Sequence, residues 1–200
     1  MINIVEQYEI GDSLKMELGD KIKKLRKEQN WNLTEIADIC GFSKSLLSKI
    51  ENGKTMPPIS TLIKIADALG TTVSILLDDQ QQSGTIHTTK EKSQSKLVKT
   101  EKGYSFFAFA VERGDKLMQP FLFVSRKDEQ DSRHVFSHNG EEFIFILEGQ
   151  MKYKVGNVEY TLGPGDSLYF DSIEKHTISP ITSEVKYVAV FTQSKLGTKM

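Results

Sequence analysis

Gly41 splits residues 34–53, TEIADICGFSKSLLSKIENG, into two short segments that each repeat apolar residues at helical spacing. Few arrangements satisfy such a pair. Gly41 suits the left-handed backbone that ends one helix, and Ser43 can cap the next through its hydroxyl. Thr34 reads as the cap of the first, with Leu33 as its apolar staple. Small Ala37 permits a close crossing, and Ile36, Leu47 and Ile50 can fill the seam. That crossing leaves Ser43, Lys44, Ser45, Ser48 and Lys49 outward or near a helix start, with Asn52 and Lys54 just beyond its end.

A face of lysine, serine and asparagine beside a helix start can meet phosphates and base edges in a major groove. The net charge of the whole chain, -1 at pH 7, gives no hint of this. Residues 15–54 differ, with nine Lys or Arg against six acids. Such a local excess can serve phosphate contacts. The candidate DNA-contacting residues are therefore Thr34, Ser43, Lys44, Ser45, Ser48, Lys49, Asn52 and Lys54, and the expected partner is a double-stranded operator. The surrounding stretch, 14–77, reads as short helical pieces. Leu18, Ile22 and Leu25 stripe the first. Pro57-Pro58 blocks the third from continuing. Leu62, Ile65, Ala66 and Leu69 stripe a later one.

Residues 79–96, DQQQSGTIHTTKEKSQSK, are polar and read as a linker between domains at 1–78 and 97–194. Beyond it, short runs of Phe, Tyr, Val and Ile alternate with turn residues. They predict strands at 104–111, 118–125, 142–148, 151–155, 158–162, 167–170, 176–179 and 185–191. Strand alternation would put Glu142, Ile144 and Ile146 on one side of theirs and Phe143, Phe145 and Leu147 on the other. His138 lies four residues before Glu142, across Asn139-Gly140, and His176 begins a later strand. Two imidazoles and a carboxylate can hold Fe(II) or another borderline metal with positions left open. Fe, Zn, Ni and Mn all suit these donors, and the residues fix no cofactor by themselves. A small organic ligand is the other occupant, contacted by Tyr104, His138, Glu142 and His176 within a wall that includes Phe136 and Ile144. One cysteine, no apolar run long enough to span a bilayer and no secretion signal at the start lead us to expect a cytoplasmic protein without membrane contact.

Two resemblances sharpen this reading. Residues 18–77, through Leu33-Thr34-Glu35-Ile36-Ala37 and Gly41 to Gly53, resemble the Cro/C1-type helix-turn-helix. That resemblance implies operator binding as a homodimer. Residues 103–191 resemble the cupins. His138-Asn139-Gly140-Glu141-Glu142-Phe143, with Gly149, looks like the first cupin motif, and Gly165-Asp166 through His176 like the second. Phe136 stands where metal-binding cupins normally carry a further histidine, so three ligands remain of the usual four. Together the two imply an all-α helix-turn-helix bundle followed by an all-β cupin barrel, a double-stranded β-helix or jelly roll. This is the layout of bacterial transcription regulators whose operator affinity answers to a small-molecule or metal effector. The same layout also resembles a non-haem iron epoxidase of a hydroxyalkyl phosphonate, whose ligands His138, Glu142 and His176 match. The sequence reading favours the regulator and leans against an enzyme.

Overall fold

The computed structural model describes residues 4–78, 84–100, 102–114, 116–129 and 134–192, with only the backbone of residues 4–12. The linker's first residues, 79–83, and the last two of the expected second domain, 193 and 194, lie outside the described residues. The chain forms two compact units. One holds residues 1–96 together with Val111–Gly114, and the other holds 97–110 and 115–200.

In the first unit, α1 (Ile4–Glu28), α2 (Leu33–Cys40), α3 (Lys44–Glu51), α4 (Ile59–Ala68) and α5 (Val73–Leu77) enclose a core. Leu18, Ile22, Ile36, Leu47, Ile50, Leu62 and Ile65 are buried in it. Asn32, not Thr34, caps α2. Its side chain accepts from the backbone of Thr34 and Glu35, and the Glu35 carboxylate reaches back to the Asn32 N–H at 2.7 Å. This reciprocal box satisfies more orphan donors than a threonine two residues later could. Gly41 ends α2 with φ 71°, and Ser43 caps α3 by accepting from the Leu46 N–H. A buried ion pair ties α1 to α3: Arg26 Nε and Nη2 donate to Glu51 Oε1 and Oε2 at 2.6 and 2.9 Å. Within the stretch read as linker, Thr89 caps a short helix, α6 (Lys90–Ser95).

Among the described residues the second unit holds nine strands: β1 (Val98–Lys99), β2 (Tyr104–Ala108), β3 (Met118–Arg126), β4 (Glu141–Glu148), β5 (Met151–Val155), β6 (Val158–Leu162), β7 (Ser167–Asp171), β8 (His176–Pro180) and β9 (Glu184–Thr192). The expected barrel is not what they make. Their ladders form two separate antiparallel sheets, six strands in the order β1-β2-β3-β9-β4-β7 and three in the order β6-β5-β8. Among the described residues neither sheet closes on itself. Closure requires each edge strand to find a hydrogen-bonded neighbour, whereas β1, β7, β6 and β8 each remain an edge. Consecutive strands β4 and β5 belong to different sheets, and a single bridge from Phe136 to His176 adds to the β8 edge. Strand alternation could not separate these outcomes, because one apolar face per strand serves a pair of sheets as well as a barrel.

Candidate functional site

Three side chains from different parts of the second unit converge. Glu142 projects inward from β4 in the larger sheet, while His176 opens β8 in the smaller one. His138 lies in the turn leading into β4, held by its N–H donating to Ser172 O at 3.0 Å. That turn depends on Gly140, whose φ is 94° and where a Cβ would fall 2.1 Å from Thr192 O. All three side chains are buried, and one ligand atom from each lies within 4.8 Å of the others.

The donor orientation suits a metal ion. His138 Nδ1 lies 3.1 Å from Asn139 O and His176 Nδ1 2.9 Å from Glu174 O. A carbonyl can only accept, so each Nδ1 carries a proton, and in the neutral ring each Nε2 then keeps its lone pair. Both Nε2 atoms face Glu142 Oε2 at 3.4 Å. Charged pairing would require a protonated imidazole, yet burial lowers the pKa of His176, and Glu142 only partly opposes that shift. Glu142 Oε2 accordingly has no hydrogen-bond partner among the described residues. Three buried lone-pair donors aimed at one point repel each other unless a cation lies between them.

The surroundings are aromatic. Phe136 and Tyr153 stack near-parallel to the His176 ring, with centroids at 5.8 and 6.0 Å, and Phe191 meets His138 edge-on at 5.2 Å. Tyr153 Oη donates to Glu142 Oε1 at 3.3 Å, and burial followed by Glu142 holds its pKa well above the usual phenol value. Of the expected lining, Tyr104, Phe136 and Ile144 are all buried. Tyr104 packs edge-on against Phe136. Tyr153 went unread in the sequence. The alternation of Met151, Tyr153 and Val155 marks the inner face of β5, which pairs with β8 and so with His176.

In the first unit, Thr34, Ser43, Lys44, Ser45, Lys49, Asn52 and Lys54 are exposed and Ser48 is half-buried. Ser43 Oγ is occupied by its capping bond, and Asn52 Nδ2 donates back to Ser48 O at 2.6 Å. Lys44, Ser45 and Lys49 stand on the free side of α3, whose other side presents Leu47 and Ile50 to the core.

Comparison with known proteins bears on both units. A helix-turn-helix profile matches residues 22–76, and a cupin-domain profile matches residues 122–191. The chain therefore has a two-domain, regulator-type architecture. The transcriptional regulator SinR of Bacillus subtilis (strain 168) is 40% identical over 67 residues, 33% of this chain and 60% of SinR. The chain thus spans less than two thirds of that relative's length. The transcriptional regulator SutR of Escherichia coli (strain K12) is 23% identical over 163 residues, 80% of this chain and 84% of SutR. A crystal structure of a helix-turn-helix family transcriptional regulator from Vibrio cholerae aligns over 92% of this chain and 99% of its own, with a TM-score of 0.65 and 20% identity. At that identity the likeness shows the fold alone.

Helix-turn-helix and cupin-like domain with a two-histidine, one-carboxylate site suit a ligand-sensing regulator and a non-haem iron enzyme alike. The site overturns the sequence's leaning against an enzyme. The buried convergence of His138, Glu142 and His176 is a centre able to coordinate a metal with positions to spare, as catalytic non-haem sites require. No helix of the described residues is long and apolar enough to cross a membrane.

Proposed function

We propose that this chain is a sequence-specific DNA-binding transcription regulator whose second unit carries a mononuclear metal centre, and that metal and small ligand together set its operator affinity. The carrying observation is the convergence of two Nε2 lone pairs and an unpartnered carboxylate oxygen in a buried, aromatic enclosure. His138, Glu142 and His176 would hold the ion. When bound, it supplies a Lewis-acidic, redox-capable centre with open positions. The exposed lysines and serines of α3 support the DNA reading, with Lys44 and Ser45 at its start, Thr34 near the start of α2, and Asn52 and Lys54 toward the phosphates. Control also requires the ligand to bind the DNA-competent and incompetent states unequally.

The triad itself favours a second reading over a passive binding pocket: a non-haem iron oxygenase or epoxidase acting on a small phosphonate or related acid. The inward positions of the described strands are Tyr, Phe, Ser, Gln, Glu, His, Met and aliphatic residues, without Lys or Arg. An acid in this enclosure would take its countercharge from the metal centre and a hydrogen bond from the Tyr153 hydroxyl, which already reaches Glu142.

One experiment separates the two. The protein is purified from its own host, its metal content is measured, and it is titrated with its own upstream DNA at several salt concentrations. Specific retardation that weakens with salt, and is lost in Lys44→Ala/Ser45→Ala, supports the regulator. Stoichiometric iron with substrate-dependent oxygen uptake and no preference among DNA sequences supports the oxygenase. Metal-free protein without specific DNA binding refutes both.

A further inference from the structure

The chain passes between its two compact units three times, at 96–97, 110–111 and 114–115. Domains joined by a plain tether are crossed once and move independently. The extra crossings come from the connection between β2 and β3, which are neighbours in the larger sheet. Strands paired in this way need only a turn of about 2–5 residues. This connection instead runs from 109 to 117, and its middle, Val111–Gly114, belongs to the helical unit.

Contacts within the helical unit hold that middle. Gly114 is buried, and its carbonyl accepts from Thr72 Oγ1 at 3.3 Å. The same hydroxyl caps α5 by accepting from the Ile75 N–H. Lys92 Nζ of α6 lies 2.9 Å from Glu112 Oε1, a side chain only 17% exposed. Arg113 donates to Gly84 O at 3.4 Å. The ends of the connection are held by their own strands. Phe109 N–H donates to Pro120 O at 3.0 Å, and Lys116 Nζ donates to the carbonyls of Phe109 and Ala110 at 3.1 and 2.6 Å. Ala110, the last residue before the crossing, stands at φ 50°. A residue with a Cβ takes that left-handed backbone only where its surroundings impose it.

We infer that Val111–Gly114 is a strap that carries the state of the His138, Glu142 and His176 site to the DNA-reading unit. The inference deepens the regulator reading and rests on it. At the start of β2, Tyr104 packs on Phe136, whose ring stacks on His176. Strand β2 is paired with β3 from Tyr104 to Ala108, so a displacement at Tyr104 moves the strand as a body. Lys116 leaves no slack at Phe109 and Ala110 to absorb it. Gly114 and Glu112 then pull on the cap of α5 and on α6. Helix α5 packs on α1, and α1 holds α3 through Arg26 and Glu51.

Urea unfolding of the full chain, followed by Trp31 emission, tests this, because the single tryptophan lies in the helical unit. Phe106→Leu loosens the buried inner face of β2. It should raise the unfolding constant of the helical unit about 10-fold, with the far-ultraviolet circular dichroism kept. Should the strands be lost in that variant, Phe106→Met, closer in volume, replaces it. The effect should vanish when the strap is slackened, by Gly-Ser-Gly-Ser inserted between Ala110 and Val111 or by Glu112→Ala. Zn(II) is the second probe. At saturation it should stabilise the Trp31 transition of the wild type but not of the slackened variants, which still bind Zn(II) in competition with a chelator. A Trp31 transition indifferent to the Phe106 change, or shifted equally with the strap slack, overturns the strap. So does Zn(II) that binds without moving Trp31. Zn(II) that fails to bind refutes the metal centre instead, and the Phe106 variants then decide the strap alone.

Discussion

Replacing Glu142 by glutamine should move stability in opposite directions without and with metal. In the metal-free protein Glu142 Oε2 lacks a hydrogen-bond partner and faces two imidazole nitrogens at 3.4 Å. A glutamine amide at the same place can donate one N–H toward each, and its carbonyl oxygen can still accept from Tyr153 Oη. A buried polar group left unsatisfied costs about 1–3 kcal/mol, so the EDTA-treated variant should be more stable than wild type by roughly that amount. For a unit of this size each kcal/mol moves Tm by about 4–8 °C. Metal reverses the comparison, because the amide carries no charge to bind it. At a metal concentration 1,000 times its Kd, the wild type gains about 4 kcal/mol. A variant with ~1,000-fold weaker affinity gains only about 0.4 kcal/mol under the same conditions. Scanning calorimetry is the appropriate assay, since the single tryptophan, Trp31, lies in the helical unit and does not report on the strands. A metal-free variant that melts below wild type refutes the lone-pair argument. A wild type whose Tm ignores Fe(II), Zn(II), Ni(II) and Mn(II) refutes the centre itself.

Three further outcomes follow from other parts of the molecule. Glu51→Ala should destabilise the helical unit by about 3–5 kcal/mol, the cost of leaving one partner of a buried pair uncompensated, read by Trp31 emission in urea, because Arg26 also donates to Trp31 O at 2.7 Å. Gly140→Ala forces a side chain into a positive-φ turn against Thr192 O; it should cost about 1–3 kcal/mol and weaken metal binding through His138, measured by competition with a chromophoric chelator. Burial pushes the Cys40 thiol up to about 11 from 9.0. Its unfolded state therefore ionises first as pH rises above about 9, so native stability falls from there toward pH 11. At pH 8 the native thiol should alkylate about 100-fold more slowly than in urea, followed by mass spectrometry.

The sequence disclosed local chemistry better than long-range closure. Gly41 and Ser43 could be placed because their roles are set by residues within one turn. Thr34 was misplaced although the sequence held the better cap: Asn32, two residues earlier, has Glu35 three positions on, whereas Thr34 has only Ala37 there. His138, Glu142 and His176 were legible as donors by type, and pairing across two sheets brings them together. What no spacing revealed was the topology around them. Whether β4 passes its hydrogen bonds on to β5 or to β7 and β9 depends on the turn at Gly149 and on partners dozens of residues away, so an open pair of sheets and a barrel share one pattern. Tyr153 was lost for the same reason, since its role follows from β5 pairing with β8.

The same strand that supplies Glu142 also presents Phe143 and Phe145 outward, and this links the metal centre to the exposed outer face of the sheet by a single pleat. Adjacent residues on a strand cannot move independently. A shift of Glu142 toward a bound ion moves its neighbours Glu141 and Phe143 in the opposite face. Metal binding should therefore change the dissociation constant of the expected homodimer, and by linkage dimerisation should change metal affinity by the same factor. Sedimentation with and without saturating metal measures one side of that equality, and metal titration at low and high protein concentration measures the other. A factor of one in both measurements would show that the two faces of β4 are uncoupled, and control of DNA binding would then have to run through another strand.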